Sequence, residues 1–195
     1  MLEALRQPLE DKVITITRVS GALQFPAHFI LLAAQNPCPC GYWGDIKKAC
    51  ICTEQQRQRY IRKVSGPLLD RIDLHVRVYP VKHEKLFGES TAERSVDVLA
   101  RVSAARSLQR ARFGTDSVLL NCDMDHRAIK KFCKYDTATI DMLLAAAKRM
   151  SLSARALFKV MKISRTIADL AGRDKIEESD VMEALQYRQG NGNEQ

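Results

Sequence analysis

The sequence predicts an α/β fold that is incomplete: part of a parallel sheet with helices, followed by a small all-helical domain. Three observations carry this. Strand-like runs of β-branched and apolar residues occur before residue 80 and not after it. From about residue 121 the apolar residues recur only at helical spacing. The chain of 195 residues is 46% hydrophobic and 28% charged, the balance of an ordinary globular protein. The expected domains are 1–120, an α/β part with a hairpin and a cysteine-rich loop, and 121–189, helical. A polar tail, 190–195, is expected to be disordered.

Taken in order, residues 2–9 read as the end of a helix that Pro8 helps to terminate. Val13 to Thr17 is a β-branched run, then Ser20-Gly21 supplies a turn and Leu23 to Phe25 a second strand, so a β-hairpin is predicted. Phe29-Ile-Leu-Leu-Ala-Ala34 is continuously apolar, as a strand buried on both faces would be. Pro37 stops it. Residues 37–52 are a loop, and Thr53-Glu-Gln-Gln56 has the form of a capping box opening a polar, basic helix to about Val64. Ser65-Gly66-Pro67 breaks that helix. Ile72 to Tyr79 alternates apolar and polar residues and reads as a strand. Ala92 to Arg112 reads as a helix closed by Gly114.

The helical domain is expected near 123–134, 137–149, 153–171 and 178–188. In the third helix Ala156, Leu157, Val160, Met161, Ile167, Ala168 and Ala171 form the apolar stripe. Arg155, Lys159, Lys162, Thr166 and Asp169 lie opposite, on the face expected to meet solvent. Gly172 stands where a helix C-terminus wants a left-handed residue.

Composition limits the function classes. No apolar run approaches the ~20 residues of a membrane span, and Met1-Leu-Glu-Ala-Leu-Arg is no secretory signal. No membrane partner is expected, and a cytoplasmic location is. The formal net charge of +8 fits nucleic acid as a partner and equally a solvated basic surface. Cys38, Cys40, Cys50 and Cys52 crowd into fifteen residues, which marks a local site rather than long-range disulfides. Four thiolates can close a tetrahedral structural zinc site. Cys-x-Cys is tighter than the usual Cys-x2-Cys spacing, so reduced thiols packing a loop is the competing reading. Catalytic zinc is disfavoured, with no open position or nearby acid–base pair evident.

Cys122 reads as a loop thiol and Cys133 as a core residue, while the four histidines are scattered without ligand spacing. Tyr42 and Trp43 could stack on a base or pack against the cysteine loop. Arg18, beside the hairpin turn, is the candidate contact to a DNA backbone; a solvated turn residue is the alternative.

Two stretches carry most of the chemistry: Leu32-Ala-Ala-Gln-Asn-Pro-Cys-Pro-Cys-Gly41 and Ser65-Gly-Pro-Leu-Leu-Asp-Arg-Ile-Asp73. Asn36 ends an apolar run and can orient a water or contact a γ-phosphate. The Arg71 guanidinium can stabilise charge on a transferring phosphoryl group. Each alone has an ordinary reading, a turn for Asn-Pro and a surface salt bridge to Asp70 or Asp73 for Arg71.

Together these stretches resemble the ComM/YifB group of magnesium-chelatase-like AAA+ ATPases, over essentially residues 1–189. The resemblance implies a partial AAA+ core followed by a lid domain. It implies that Asn36 is sensor 1, Arg71 the arginine finger, and Arg155, in the Ser-Ala-Arg opening the third lid helix, sensor 2, in contact with nucleotide. The 13–25 hairpin is similar to one that such rings point into a central channel. ATP and Mg²⁺ are the implied cofactors of the full-length protein, with DNA and further copies in a hexameric ring as partners. The sequence departs from the family at its front: no Gly-x-x-x-x-Gly-Lys-Ser/Thr and no apolar strand ending in Asp-Glu occurs. The chain is therefore expected to be the C-terminal half of such a protein and to be inactive alone. The implied function is a DNA motor of branch-migration or helicase type. A chelatase-type protein remodeller and a zinc-bearing nucleic-acid-binding module are the alternatives.

Overall fold

A computed structural model describes residues 2–19, 21–45, 47–79, 93–114 and 120–188. The chain divides into two compact units, Met1–Ile72 and Asp73–Gln195. The division expected at residue 120 falls inside the second unit, because the long helix before it packs on the helical domain. The hairpin-turn residue Ser20 and the polar tail lie outside the described residues.

The first unit opens with a 3-10 turn, Leu2–Leu5, leading into helix α1, Arg6–Asp11. Pro8 does not end this helix. It occupies the first turn, where no intrahelical N–H is required of it. The helix closes instead at Lys12, whose left-handed backbone donates its N–H to Pro8 O. Strands β1 (Val13–Arg18) and β2 (Gly21–Pro26) then pair antiparallel, in register from Val13 opposite Pro26 to Arg18 opposite Gly21. Gly21 takes φ +133°, a conformation L side chains rarely adopt. Ile14 faces Phe25 and Ile16 faces Leu23, so these four side chains share one face of the ribbon, with Arg18 at its turn end. That face is exposed.

The described residues do not show the expected parallel sheet. Among the described residues β1 and β2 are the only strands, and they bond each other. Residues 27–36 and 74–79 carry no regular secondary structure, and Ile30 and Leu32 are about 90% exposed. A strand buried on both faces takes its ladder from neighbours on either side, and no described segment supplies them. The apolar run is present without its sheet.

Helix α2, Glu54–Ile61, starts as expected: Gln56 N donates to Thr53 Oγ1 and Thr53 N donates to Gln56 Oε1. It stops at Ile61, with Arg62 as its C-cap, a little before the expected end near Val64, and Ser65-Gly66-Pro67 instead begins the one-turn helix α3, Gly66–Leu69. Ser65 Oγ accepts from Leu68 N at that N-cap.

The second unit contains α4 (Ser95–Phe113), a 3-10 turn (Asn121–Asp123), α5 (His126–Phe132), α6 (Thr137–Arg149), α7 (Ala154–Leu170) and α8 (Glu178–Gln186). Asp125, Asp136 and Ser153 cap α5, α6 and α7 through their side chains. Gly172 follows the α7 C-cap at φ +70°. Phe113, Met124, Ile129, Leu143, Val160, Ala168, Val181 and Leu185 form the core. Cys133 joins them, and burial pushes its thiol up to about 11.

The polar side of α7 departs from expectation. Asp169 is fully buried rather than solvated, because α4 and the 3-10 turn cover it. Its carboxylate accepts from Arg112, from Asn121 Nδ2 at 2.8 Å and from Arg165 Nε at 3.1 Å. Asn121 N donates to Gln109 Oε1 at 3.0 Å, and Asn121 Nδ2 also donates to Thr166 Oγ1. Arg165 spends its remaining donors on the carbonyls of Arg173 and Asp174, beyond the helix end. Every buried charge here has partners, the condition under which such burial is tolerated.

Candidate functional site

The site begins with the loop that four cysteines draw together. Cys38 Sγ lies 3.3 Å from Cys40 Sγ and 3.6 Å from Cys50 Sγ, and Cys40 Sγ lies 3.6 Å from Cys50 Sγ. With Cys52 all four sulfurs fall within 4.8 Å of one another. Four sulfurs around zinc at ~2.3 Å sit ~3.8 Å apart. The donor set therefore fits a single tetrahedral ion. Local backbone makes the approach feasible: Gly41 and Gly44 take φ near +80°, and Gly41 N donates to Cys38 O at 3.0 Å.

The electrostatics of the loop are uneven. The amide of Tyr42, opposed by burial and helped by the amide of Ile51, lowers the Cys40 thiol to about 6. Cys38 is also lowered, against the burial that opposes its ionisation, by the amides of Trp43 and Gly41 and by Cys50. Burial raises Cys52 to about 12. Amides aimed at sulfur are the surroundings that stabilise a metal-bound thiolate. Arg57 links the loop to α2. Its Nη1 donates to Cys52 O at 3.1 Å, its Nη2 meets Glu54, and its guanidinium lies 5.6 Å from the Trp43 ring centre. Trp43 and Tyr42 thus pack with cations of the loop, Tyr42 lying under Lys48 Nζ at 4.0 Å. The sequence signal for Arg57 is its spacing, three after Glu54 and five after Cys52, which the motifs above do not include.

Asn36 is exposed and sits immediately before this loop, where a Cβ at Gly41 would come 3.9 Å from its Nδ2. Arg71 follows α3 in the same unit. It forms an ion pair with Glu10 of α1, and its Nη1 donates to Pro67 O at 2.8 Å. Arg6 Nη2 donates to Ser65 Oγ at 2.9 Å, so α1 holds both ends of the turn that presents Arg71. The sequence points to Asp70 or Asp73 as its salt-bridge partner. The structure pairs Arg71 with Glu10, sixty-one positions away in the chain, while Asp73 pairs with Lys159 Nζ at 2.8 Å.

Arg155 belongs to the second unit, exposed in the first turn of α7. A cation there opposes the helix dipole, a local conflict of the kind functional positions show. One turn on, burial lowers the Lys159 ammonium and Asp73 opposes that shift. Arg18 is exposed at the end of β1, beside the fully exposed Val19. Asn36, Arg71 and the cysteines thus share the first unit with Arg18, and Arg155 stands in the other.

Comparison with known proteins gives this arrangement its context. The family model described as "Magnesium chelatase, subunit ChlI" matches residues 1–86, and that described as "Magnesium chelatase, subunit ChlI C-terminal" matches residues 92–188. The chain is 37% identical over 191 residues to Competence protein ComM of Haemophilus influenzae, covering 96% of this chain and 36% of that protein. It is 36% identical over 190 residues to the uncharacterized protein YifB of Escherichia coli, again covering 96% and 36%. An uncharacterized protein of Mycobacterium tuberculosis is 35% identical over 188 residues, covering 96% and 37%. The chain spans about a third of the length of these relatives. No described helix is long and apolar enough to cross a membrane. The chain belongs to the magnesium-chelatase-like ComM/YifB family.

Proposed function

We propose that the full-length protein is a cytoplasmic ATP-driven motor, a hexameric ring acting on DNA in branch migration or helicase-type work, in recombination and the uptake of foreign DNA. Residues 121–189 serve as its lid. The observation that carries this reading is the placement of Asn36 and Arg71 in one compact unit, Asn36 directly before the cysteine loop and Arg71 just after α3, in a family with a relative named a competence protein.

In this reading Asn36 orients the attacking water from its place against the cysteine loop. Arg71 reaches the nucleotide of the adjacent subunit, where its guanidinium fork neutralises charge on the transferring phosphoryl group. Glu10 offers Arg71 at rest the same anionic oxygen that a phosphate offers in the ring. Arg155 reaches nucleotide from the lid, and Arg18, at the hairpin tip, meets the DNA backbone. ATP and Mg²⁺ supply the phosphoryl group and its charge neutralisation. The 195 residues contain no P-loop motif, so the phosphate cradle is assigned to other residues of the full-length protein.

Zinc is assigned to Cys38, Cys40, Cys50 and Cys52 as a structural ion, on the sulfur spacing given above. It ties the segment after Asn36 to the N-terminus of α2.

The chelatase description of the family models favours a second reading, an ATPase subunit that remodels a protein partner. ATP turnover by the full-length protein with and without DNA separates the two. Stimulation by DNA is expected. Turnover indifferent to DNA would contradict the motor reading, and binding of nucleic acid without turnover would leave only a zinc-bearing binding module.

A further inference from the structure

Helix α2 buries none of its residues. A helix whose only apolar residues, Tyr60 and Ile61, stand at its end contributes little to a core, and such helices persist only with other support. Here the support is the capping box at Thr53 and the Arg57 link to the cysteine loop. The loop and the helix together present a polar surface, and that surface is unusual in charge. Between Cys38 and Val64 stand six cations, Lys47, Lys48, Arg57, Arg59, Arg62 and Lys63, against two carboxylates, Asp45 and Glu54.

Both carboxylates are occupied. Asp45 Oδ1 accepts from the amides of Lys47 and Lys48, and Glu54 accepts from Arg57 and Gln58 Nε2. Arg59, Arg62 and Lys63 have no carboxylate partner among the described residues. Elsewhere in this unit Arg6 pairs with Glu3 and Arg71 with Glu10. Two shallow grooves run along α2. One is lined by Gln55, Gln58, Arg59, Arg62 and Lys63, and the other lies between Tyr60 and the loop residues Pro39 and Ile51. Arg59 and Lys63 line both, so they form a cationic ridge with an aromatic ring beside it.

We propose that this ridge and its flanking grooves are a binding site for single-stranded nucleic acid. Arg59, Arg62 and Lys63 take successive phosphates, Tyr60 stacks on a base, and the glutamine amides tolerate any sequence. Cations without carboxylate partners along a groove, with a half-exposed aromatic beside them, are the chemistry by which a single strand is held without sequence preference. The inference rests on the reading of DNA as the substrate and adds a contact separate from the hairpin.

The test is fluorescence anisotropy of labelled oligo(dT) with the full-length protein across a salt series, using Arg59→Gln/Lys63→Gln, Tyr60→Ala and Arg18→Ala. All three changes fall on exposed or part-exposed positions, and circular dichroism melts confirm folding. The double variant should bind about tenfold or more weakly, with the slope of log K against log salt reduced by ~1.4, since each single-strand phosphate contributes ~0.7. Tyr60→Ala should weaken binding about tenfold with the slope unchanged. Unchanged affinity in the double variant would overturn the site, the cations then serving only the helix C-terminus. If Arg18→Ala abolishes binding while the double variant keeps it, the hairpin reading stands and this one fails. If the wild-type protein does not bind oligo(dT), both fail.

Discussion

Arg112 Nη1 donates to Asp169 Oδ2 at 2.8 Å, and its second terminal nitrogen meets the other carboxylate oxygen, so the two residues form a forked pair. This pair fastens α4 to α7 inside the second unit. Asp169 has no exposure, and its other partners are Asn121 and Arg165. Asp169→Ala leaves Arg165 buried without its carboxylate, so a loss of about 3–5 kcal/mol is expected in urea unfolding. The exposed pair between Arg101 of the same helix and Glu93, which precedes its N-cap, at 2.9 Å, is the control. Arg101→Ala should cost under about 1 kcal/mol. Equal small losses would mean that the network does not hold the helices together.

The α6 cap titrates. The amide of Thr139 holds the Asp136 carboxyl below the usual carboxylate range. A carboxyl whose folded pKa is depressed stabilises the fold above its unfolded value, ~3.9, and loses that contribution as pH falls through the folded value. Asp136→Ala should therefore lower the melting temperature at pH 7, and the gap to wild type should close as pH falls below ~4. A gap constant from pH 7 to pH 3 would show that the charge contributes nothing.

Metal analysis should find about one zinc per chain in protein purified without chelator. Cys50→Ser should lower that content and loosen the 37–52 loop, measured as faster proteolysis there. Metal-free protein with four freely titrating thiols would remove the zinc assignment.

What the sequence made legible follows from the range of the interactions involved. Local signals were read well. Thr53 with Gln56, Gly172 and the periodic runs from 137 onward act within one or two helical turns, and the structure places them as expected. The cysteine cluster was visible because all its members fall in one short loop. Signals that depend on distant partners were not visible. Asp169 looks like a surface residue until Arg112 and Asn121 are folded over it, and Glu10 is no evident partner for Arg71. The run 29–34 shows the opposite case: its composition predicts burial between strands, yet the ladder needs neighbours that no described residue provides. Pro8 shows how a proline in a first helical turn looks the same in sequence as one near a helix end.

The measurement that tests the account most directly is ATP turnover by the full-length protein carrying Arg71→Ala, alone and in mixed rings. A finger acts on the adjacent subunit's nucleotide, so ATP binding should stay near wild type while turnover falls by roughly 10³-fold. Mixing with subunits that lack the acidic residue activating Mg²⁺ and water should restore part of the activity, because one interface of the mixed ring regains both halves of its site. If the Arg71–Glu10 pair is structural only, the variant will be modestly destabilised and will turn over ATP at nearly the normal rate, with no rescue on mixing. Near-normal turnover in the folded variant would contradict the account.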